Sequence, residues 1–371
     1  MNEFRSGLHA GLVLTMLAMT SSLLVRAGAQ TAARPQHGRD NPTNQQQLGQ
    51  VIANLTEAIR LHPMEAVAYM RRGDAWGVSG EYGKAIADFT EAIHLEPGLA
   101  YAHYGRGVAR CRTGQIELAI TDLTEAIRLD PKGGRAYTAR GDARGAVGKF
   151  NEAIADFDEA IRLDPKDFDA YLGRGQAHEK QGADYRAIAD YTKAIHLDPK
   201  IPMLFDRRGV AWSRKGELEK AIADFTEAIR LDPMDVTAYM ERGDAWDEQG
   251  DLDKAIGDYT KAIRLGPNET SAYMCRGELY ARRLEFDKAI ADFSEAIHLN
   301  KKDTDAYNAR GTLWGLVGKN DKAIDDFSEA IRVNPKDGHA YTQRARAWES
   351  KGEKEKAFAD RKKAELLRTD R

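Results

Sequence analysis

Two ionic series run through the 371-residue chain. Arg72, Arg106, Arg140, Arg174, Arg208, Arg242, Arg276, Arg310 and Arg344 recur every 34 residues. Asp88, Asp122, Asp156, Asp190, Asp224, Asp258, Asp292, Asp326 and Asp360 keep the same beat. Side chains of these types could act as general acids and bases, as ligands for an ion, or as internal ion pairs. A catalytic centre needs one constellation, so a ninefold recurrence points to structure: the guanidinium forks onto the carboxylate and each satisfies the other. In an antiparallel hairpin, Arg72 and Asp88, sixteen residues apart, fall at nearly the same height. The alternative partner is the Asp of the preceding period, eighteen residues earlier.

The remaining reactive residues form no constellation. His94, His196 and His298 share one position of the period with Arg60, Arg128, Arg162, Arg230, Arg264 and Arg332, which marks an exposed site and not a metal ligand. Cys111 and Cys275 lie nearly five periods apart, too far for a disulfide. No HExxH, CxxC, GxSxG, phosphate-loop or dinucleotide-loop pattern occurs, so no catalytic centre, metal site or cofactor is expected. With 55 Lys+Arg against 58 Asp+Glu the chain is not basic enough to hold a nucleic acid by charge. No apolar run is long enough for a membrane-spanning helix, which needs about 20 residues.

The elements that carry these charges follow from the same ruler. Prolines stand at 63, 97, 131, 165, 199, 233 and 267 and again at 335, with Lys301 in the one gap. Within a period the apolar spacing is helical twice over: Ala68, Tyr69, Ala75 and Trp76 make one stripe, and Ala85, Ile86, Phe89, Ala92, Ile93 and Leu95 a second. Gly80 and its counterparts end the first helix, with Leu284 the one departure. The Leu-x-Pro step ends the second, because proline cannot continue a helix. Asp167, Asp235, Asp303 and Asp337 are suited to cap the next first helix. Gly73, Ala85 and Ala92 allow close approach of the two helices, and one hairpin alone cannot bury its faces, so neighbours must stack.

The segment AVAYMRRGDAWGVSGEYGKAIADFTEAIHLEPGL, residues 66–99, resembles a tetratricopeptide repeat through Tyr69, Gly73, Trp76, Ala85, Phe89, Ala92 and Pro97. Nine such repeats begin at 66, 100, 134, 168, 202, 236, 270, 304 and 338. Residues 44–65 match only a second helix and are expected to cap the array. The resemblance implies an all-α solenoid, a right-handed superhelix whose concave face is lined by first helices. It also implies that positions 2, 5, 6, 9, 12 and 13 of each repeat face the groove. Those positions hold Met70, Arg71, Tyr101, Tyr104, Arg112 and Leu172, then Met203, Arg207, Met240 and Met274. Positions 5 and 6 of the first three repeats hold Met70 and Arg71, Tyr104 and Gly105, and Thr138 and Ala139 in place of the Lys and Asn of the family's carboxylate clamp, which speaks against a chaperone-tail receptor. The sixth repeat gathers Glu241, Asp244, Asp247 and Glu248 around Met240, either a solvated acidic face or a site for a basic segment of a partner.

Ahead of the repeats, Gly11 to Val25 is uncharged and Ala27-Gly28-Ala29 is a small-x-small step. Residues 1–29 read as a secretory signal peptide cleaved after Ala29, the alternative being a retained anchor. Residues 30–43, broken by Pro35 and Pro42, read as a flexible linker. The expected protein is a non-catalytic scaffold or adaptor, secreted or periplasmic, that binds a partner peptide in the groove. The alternative is a self-assembling structural protein, stacking through its ends, or an assembly chaperone for envelope complexes. Repeats two to four place Arg110, Arg144 and His178 where an aromatic stands elsewhere, and Gly134, Gly141 and Gly145 loosen the third, which predicts the weakest packing there.

Overall fold

The structure, a computed structural model, describes residues 42–369, so the signal segment and nearly all of the linker expected at 30–43 lie outside the described residues. Those described form helices and turns, with no strand among them. Helix α1 is Pro42–Leu61, beginning two residues before the expected boundary; its opening proline suits a first turn, where its missing N–H is not needed. Nine hairpins follow. Their first helices are α2 (Ala66–Val78), α4 (Ala100–Arg112), α6 (Gly134–Ala146), α8 (Phe168–Lys180), α10 (Pro202–Arg214), α12 (Val236–Gln249), α14 (Thr270–Arg282), α16 (Thr304–Leu316) and α18 (Gly338–Ser350). Their second helices are α3 (Tyr82–Leu95), α5 (Ile116–Leu129), α7 (Phe150–Leu163), α9 (Asp184–Leu197), α11 (Leu218–Leu231), α13 (Leu252–Leu265), α15 (Phe286–Leu299), α17 (Asn320–Val333) and α19 (Lys354–Thr369).

The chain divides between Pro199 and Lys200 into two compact arrays. The N-terminal array holds α1 to α9 and the C-terminal array α10 to α19. In each, a second helix packs on its own first helix and on the first helix of the next hairpin. First helices also touch one another, α2 with α4 and α4 with α6 in one array, α10 with α12 and α16 with α18 in the other.

Small residues set these distances. Ala85 and Ala92 are fully buried and close around Phe89, with Ala102 and Ala109 of the next hairpin completing the cluster. Gly105 faces the same ring: a Cβ there would stand 2.4 Å from Phe89 Cζ, so only hydrogen fits. The turn between helices is left-handed, as at Gly250 (φ 90°); Leu284 adopts it too, at φ 61°, a conformation costly for a branched residue. Asp167, Asp235, Asp303 and Asp337 each accept first-turn N–H groups of the following helix, the caps expected of them.

The ionic series resolves within each hairpin. Arg72 Nε lies 2.8 Å from Asp88 Oδ2 and Nη2 2.8 Å from Oδ1, and the same fork recurs from Arg106–Asp122 to Arg344–Asp360. The partner is therefore the Asp sixteen residues later. The third nitrogen serves stacking: Nη1 of Arg106 donates to Thr90 of the preceding hairpin at 3.2 Å, and Arg242 Nη1 to Thr226 at 3.0 Å. One residue thus ties its own hairpin closed and fixes it to its neighbour.

The aromatic position of the first helices takes two forms. Where tryptophan stands, a lysine covers it, Lys254 over Trp246 at 4.0 Å. Arg110 and Arg144 instead turn inward and donate to Asp122 and Asp156, both at 2.7 Å. His178 is buried 3.9 Å from Asp190. In the second and third repeats the lost ring is replaced by a second guanidinium on the existing carboxylate, whereas in the fourth burial pushes His178 down, away from the charged form.

Candidate functional site

The faces of the first helices that the second helices leave open carry the groove candidates. Position 2 of the repeat opens the helix, so Tyr101 and Met203 stand out, 46% and 41% exposed. Met70, Met240 and Met274 lie deeper and pack against the core clusters, padding neighbouring helices as much as offering surface. Leu172 is half-buried.

In the N-terminal array the candidates Tyr101 and Tyr104 form one feature. Their ring centroids are 5.7 Å apart with planes tilted by 50°. Tyr101 Oη donates to Asp74 Oδ1 at 3.1 Å, joining α4 to α2. Burial pushes the Asp74 carboxyl up to about 7, against the opposing pull of the Tyr101 hydrogen bond and of Arg71. Asp142 on α6 is likewise raised to about 7 by desolvation and by Asp169 and Asp167, with Arg112 opposing. Arg71 and Arg112 are thus local counterions to groove carboxylates. Sequence reasoning named the rings but not Asp142, whose neighbours come from other helices.

In the C-terminal array the acidic run of the sixth repeat is less free than its spacing suggested. Asp247 is held by Arg282 of the next first helix. Asp244 accepts from the phenol of Tyr259 at 2.6 Å, and Tyr259 is itself buried on α13 behind Gly243, where a Cβ would stand 2.7 Å from its ring. Arg282 therefore crosses to the sixth repeat. Glu241 is raised by burial and by Asp244, with Arg214 opposing; Glu278 is raised by burial and by Asp247, with Arg282 opposing. Glu248 lies exposed at the end of α12. Asp206, beside Arg207 on α10, is raised to about 7 by burial and then by Asp235, with which it shares a hydrogen bond. Across α10, α12 and α14 the carboxylates influence one another in sequence, and the cations Arg207, Arg214 and Arg282 are fewer. Such a face resists its own ionisation and gains by receiving positive charge.

Comparison with known proteins bears on the fold. Models described as tetratricopeptide repeat or TPR repeat match residues 77–134, 141–182, 168–201, 209–270 and 317–364. No curated protein matches the sequence. Among solved structures, the C-terminal part of a TPR repeat-containing protein from Cytophaga hutchinsonii is similar with a TM-score of 0.57 at 20% identity, covering 65% of this chain and 98% of that one. A crystal structure of MamA is 28% identical over 44% of this chain and 95% of its own, with a TM-score of 0.42. YrrB, described as a TPR protein with an unusual peptide-binding site, is 22% identical over 50% of this chain and 95% of its own, with a TM-score of 0.44. The 34-residue hairpin, its stacking and the matched models agree, and the chain belongs to the tetratricopeptide repeat family.

Proposed function

We propose that the protein is a non-catalytic scaffold whose first-helix faces bind a segment of another protein, and that the C-terminal array takes a segment carrying Lys or Arg. The observation that carries this reading is the row of carboxylates on α10, α12 and α14, several held above the ordinary carboxylate range by burial and by one another. A basic side chain entering the row relieves that repulsion, and half-buried Met240 and Met274 give it adaptable apolar contact. The export signal read in residues 1–29 supports a site of action in the cell envelope or outside the cell. Binding of the purified protein to an array of peptides of graded charge tests the reading. Bound sequences should be enriched in Lys and Arg, and the Glu241→Lys/Glu278→Lys variant should lose them; indifference to peptide charge sinks it.

A second reading, self-association, draws on one observation. Phe358 on α19 is 71% exposed, at the position where Ile324 of the preceding repeat packs under Trp348 of the next first helix. A copy seated on that end would cover it. Light scattering across concentration would show mass growing with concentration, and a Phe358→Ser variant should abolish the growth.

A further inference from the structure

One kind of hydrogen bond joins successive first helices at only some repeats. Thr138 on α6 donates its hydroxyl to Oδ2 of Asp167 at 2.8 Å, and Asn308 on α16 donates Nδ2 to Oδ2 of Asp337 at 2.7 Å. Donor and acceptor are 29 residues apart in both. Each acceptor uses its other oxygen to cap a helix: Asp167 Oδ1 accepts from Ala170 N at 3.0 Å, and Asp337 Oδ1 from His339 N and Ala340 N at 3.0 Å each. A donor on one first helix therefore grips the cap of the next.

Asp206 on α10 and Asp235 at the start of α12 occupy the same two places. Asp235 caps α12 through Oδ1, accepting from Thr237 N at 2.9 Å and Ala238 N at 3.2 Å, and Asp206 hydrogen-bonds it. Threonine and asparagine bring a proton to this contact by their nature. An ionised aspartate does not, and two carboxylates in contact cannot both ionise cheaply. Asp235 already uses Oδ1 as the acceptor that caps α12, so Asp206 is the member of the pair that stands in the donor's place. Oδ1 of Asp206 is buried without a protein hydrogen-bond partner, an arrangement far less costly for a neutral carboxyl than for an anion.

We propose that Asp206 and Asp235 share one proton, and that this proton is a latch between α10 and α12 whose loss loosens the joint at that point of the groove. The surrounding charges favour it. On α10, Arg208 is taken by Asp224 of α11 at 2.8 and 2.7 Å, and Arg207 is the neighbouring cation. In the turn before α12, Asp232 adds negative charge; on α12, Glu241 does the same, and Arg242 is taken by Asp258 of α13 at 2.8 and 2.7 Å. The latch lies within the proposed binding face but does not depend on what binds there.

The sign is fixed by the direction of the shift. A carboxyl whose folded pKa is raised to about 7 stabilises the fold fully below its unfolded value near 4 and loses that contribution as pH rises through about 7. The latch is closed in mild acid and open in mild alkali.

Hydrogen exchange of the α12 amides, corrected for intrinsic rates, tests this in the full chain between about pH 5.5 and 8.5. Protection in the wild type should fall by about tenfold or more, the change that one pH unit of linkage carries. Asp206→Asn supplies a permanent donor, as Asn308 does, and should flatten the profile. Parallel profiles for wild type and variant overturn the proposal. Should the variant fail to fold, carbon-detected titration of the wild type decides: the assigned Asp206 carboxyl titrating near neutrality supports the latch, and its titrating below about 6 overturns it.

Discussion

Arg144 Nη1 donates to Asp156 Oδ2 at 2.7 Å, the same oxygen that Arg140 engages through Nε at 3.0 Å. One carboxylate, 3% exposed, thus accepts from two guanidinium groups in the third repeat, as Asp122 does in the second, where five other repeats have one pair and a tryptophan. Removing such a carboxylate strands two guanidinium groups in a site largely closed to water. Asp156→Asn should cost about 3–5 kcal/mol, read as a lower urea midpoint. Glu159→Gln, on the solvent side of the same helix and paired with exposed Arg162, should leave the midpoint where it is.

The third repeat should still be the first internal one to open. The Arg144 contact replaces an aromatic's buried area with a charge pair, and Gly134, Gly141 and Gly145 weaken α6. Residues 134–150 should exchange amide hydrogens fastest among the internal repeats. Equal protection from the first repeat to the eighth would refute this.

Two glycines of opposite character give opposite signs. Gly105→Ala drives a methyl into the Phe89 ring and should destabilise by about 1–3 kcal/mol. Gly257, in the interior of α13, has open space where a methyl would stand, with no neighbouring atom within 4 Å, so Gly257→Ala should stabilise by about 0.5–1 kcal/mol. Denaturation midpoints of the two variants check both.

Asp74 offers a pH test in the N-terminal array. Its carboxyl is raised to about 7 by burial, so its stabilising contribution is complete below its unfolded value near 4 and disappears as pH climbs through about 7. Asp74→Asn removes that dependence while keeping an acceptor for Tyr101. The difference in Tm between variant and wild type should move in the variant's favour from about pH 5 to pH 8. A difference that stays constant over that range would show that Asp74 does not titrate there.

Charge reversal at Glu241 and Glu248 leaves the Asp247–Arg282 and Asp244–Tyr259 contacts intact. Against a Lys-rich peptide bound by the wild type, Glu241→Lys/Glu248→Lys should slow association and flatten its dependence on salt, since steering acts mainly on the on-rate. An unchanged rate and slope would move the docking point away from the sixth repeat.

Much of this architecture was written in the period. A residue recurring every 34 positions occupies equivalent surroundings each time, so contacts made once per repeat announce themselves: the Arg–Asp fork at sixteen residues, the turn glycines, the caps at Asp167, Asp235, Asp303 and Asp337. The tertiary structure decided the contacts that do not recur. Arg110 and Arg144 reaching the aspartates of their own hairpins, Arg282 crossing to Asp247, Tyr259 reaching Asp244, and Asp206 meeting Asp235 all depend on side chains found in a few repeats only. Most of them bridge helices whose separation and rotation are set by how tightly small residues such as Gly105 let the hairpins stack. Spacing along a chain states which positions are alike; which unlike side chains meet depends on that stacking, a property of packed volume and not of sequence distance.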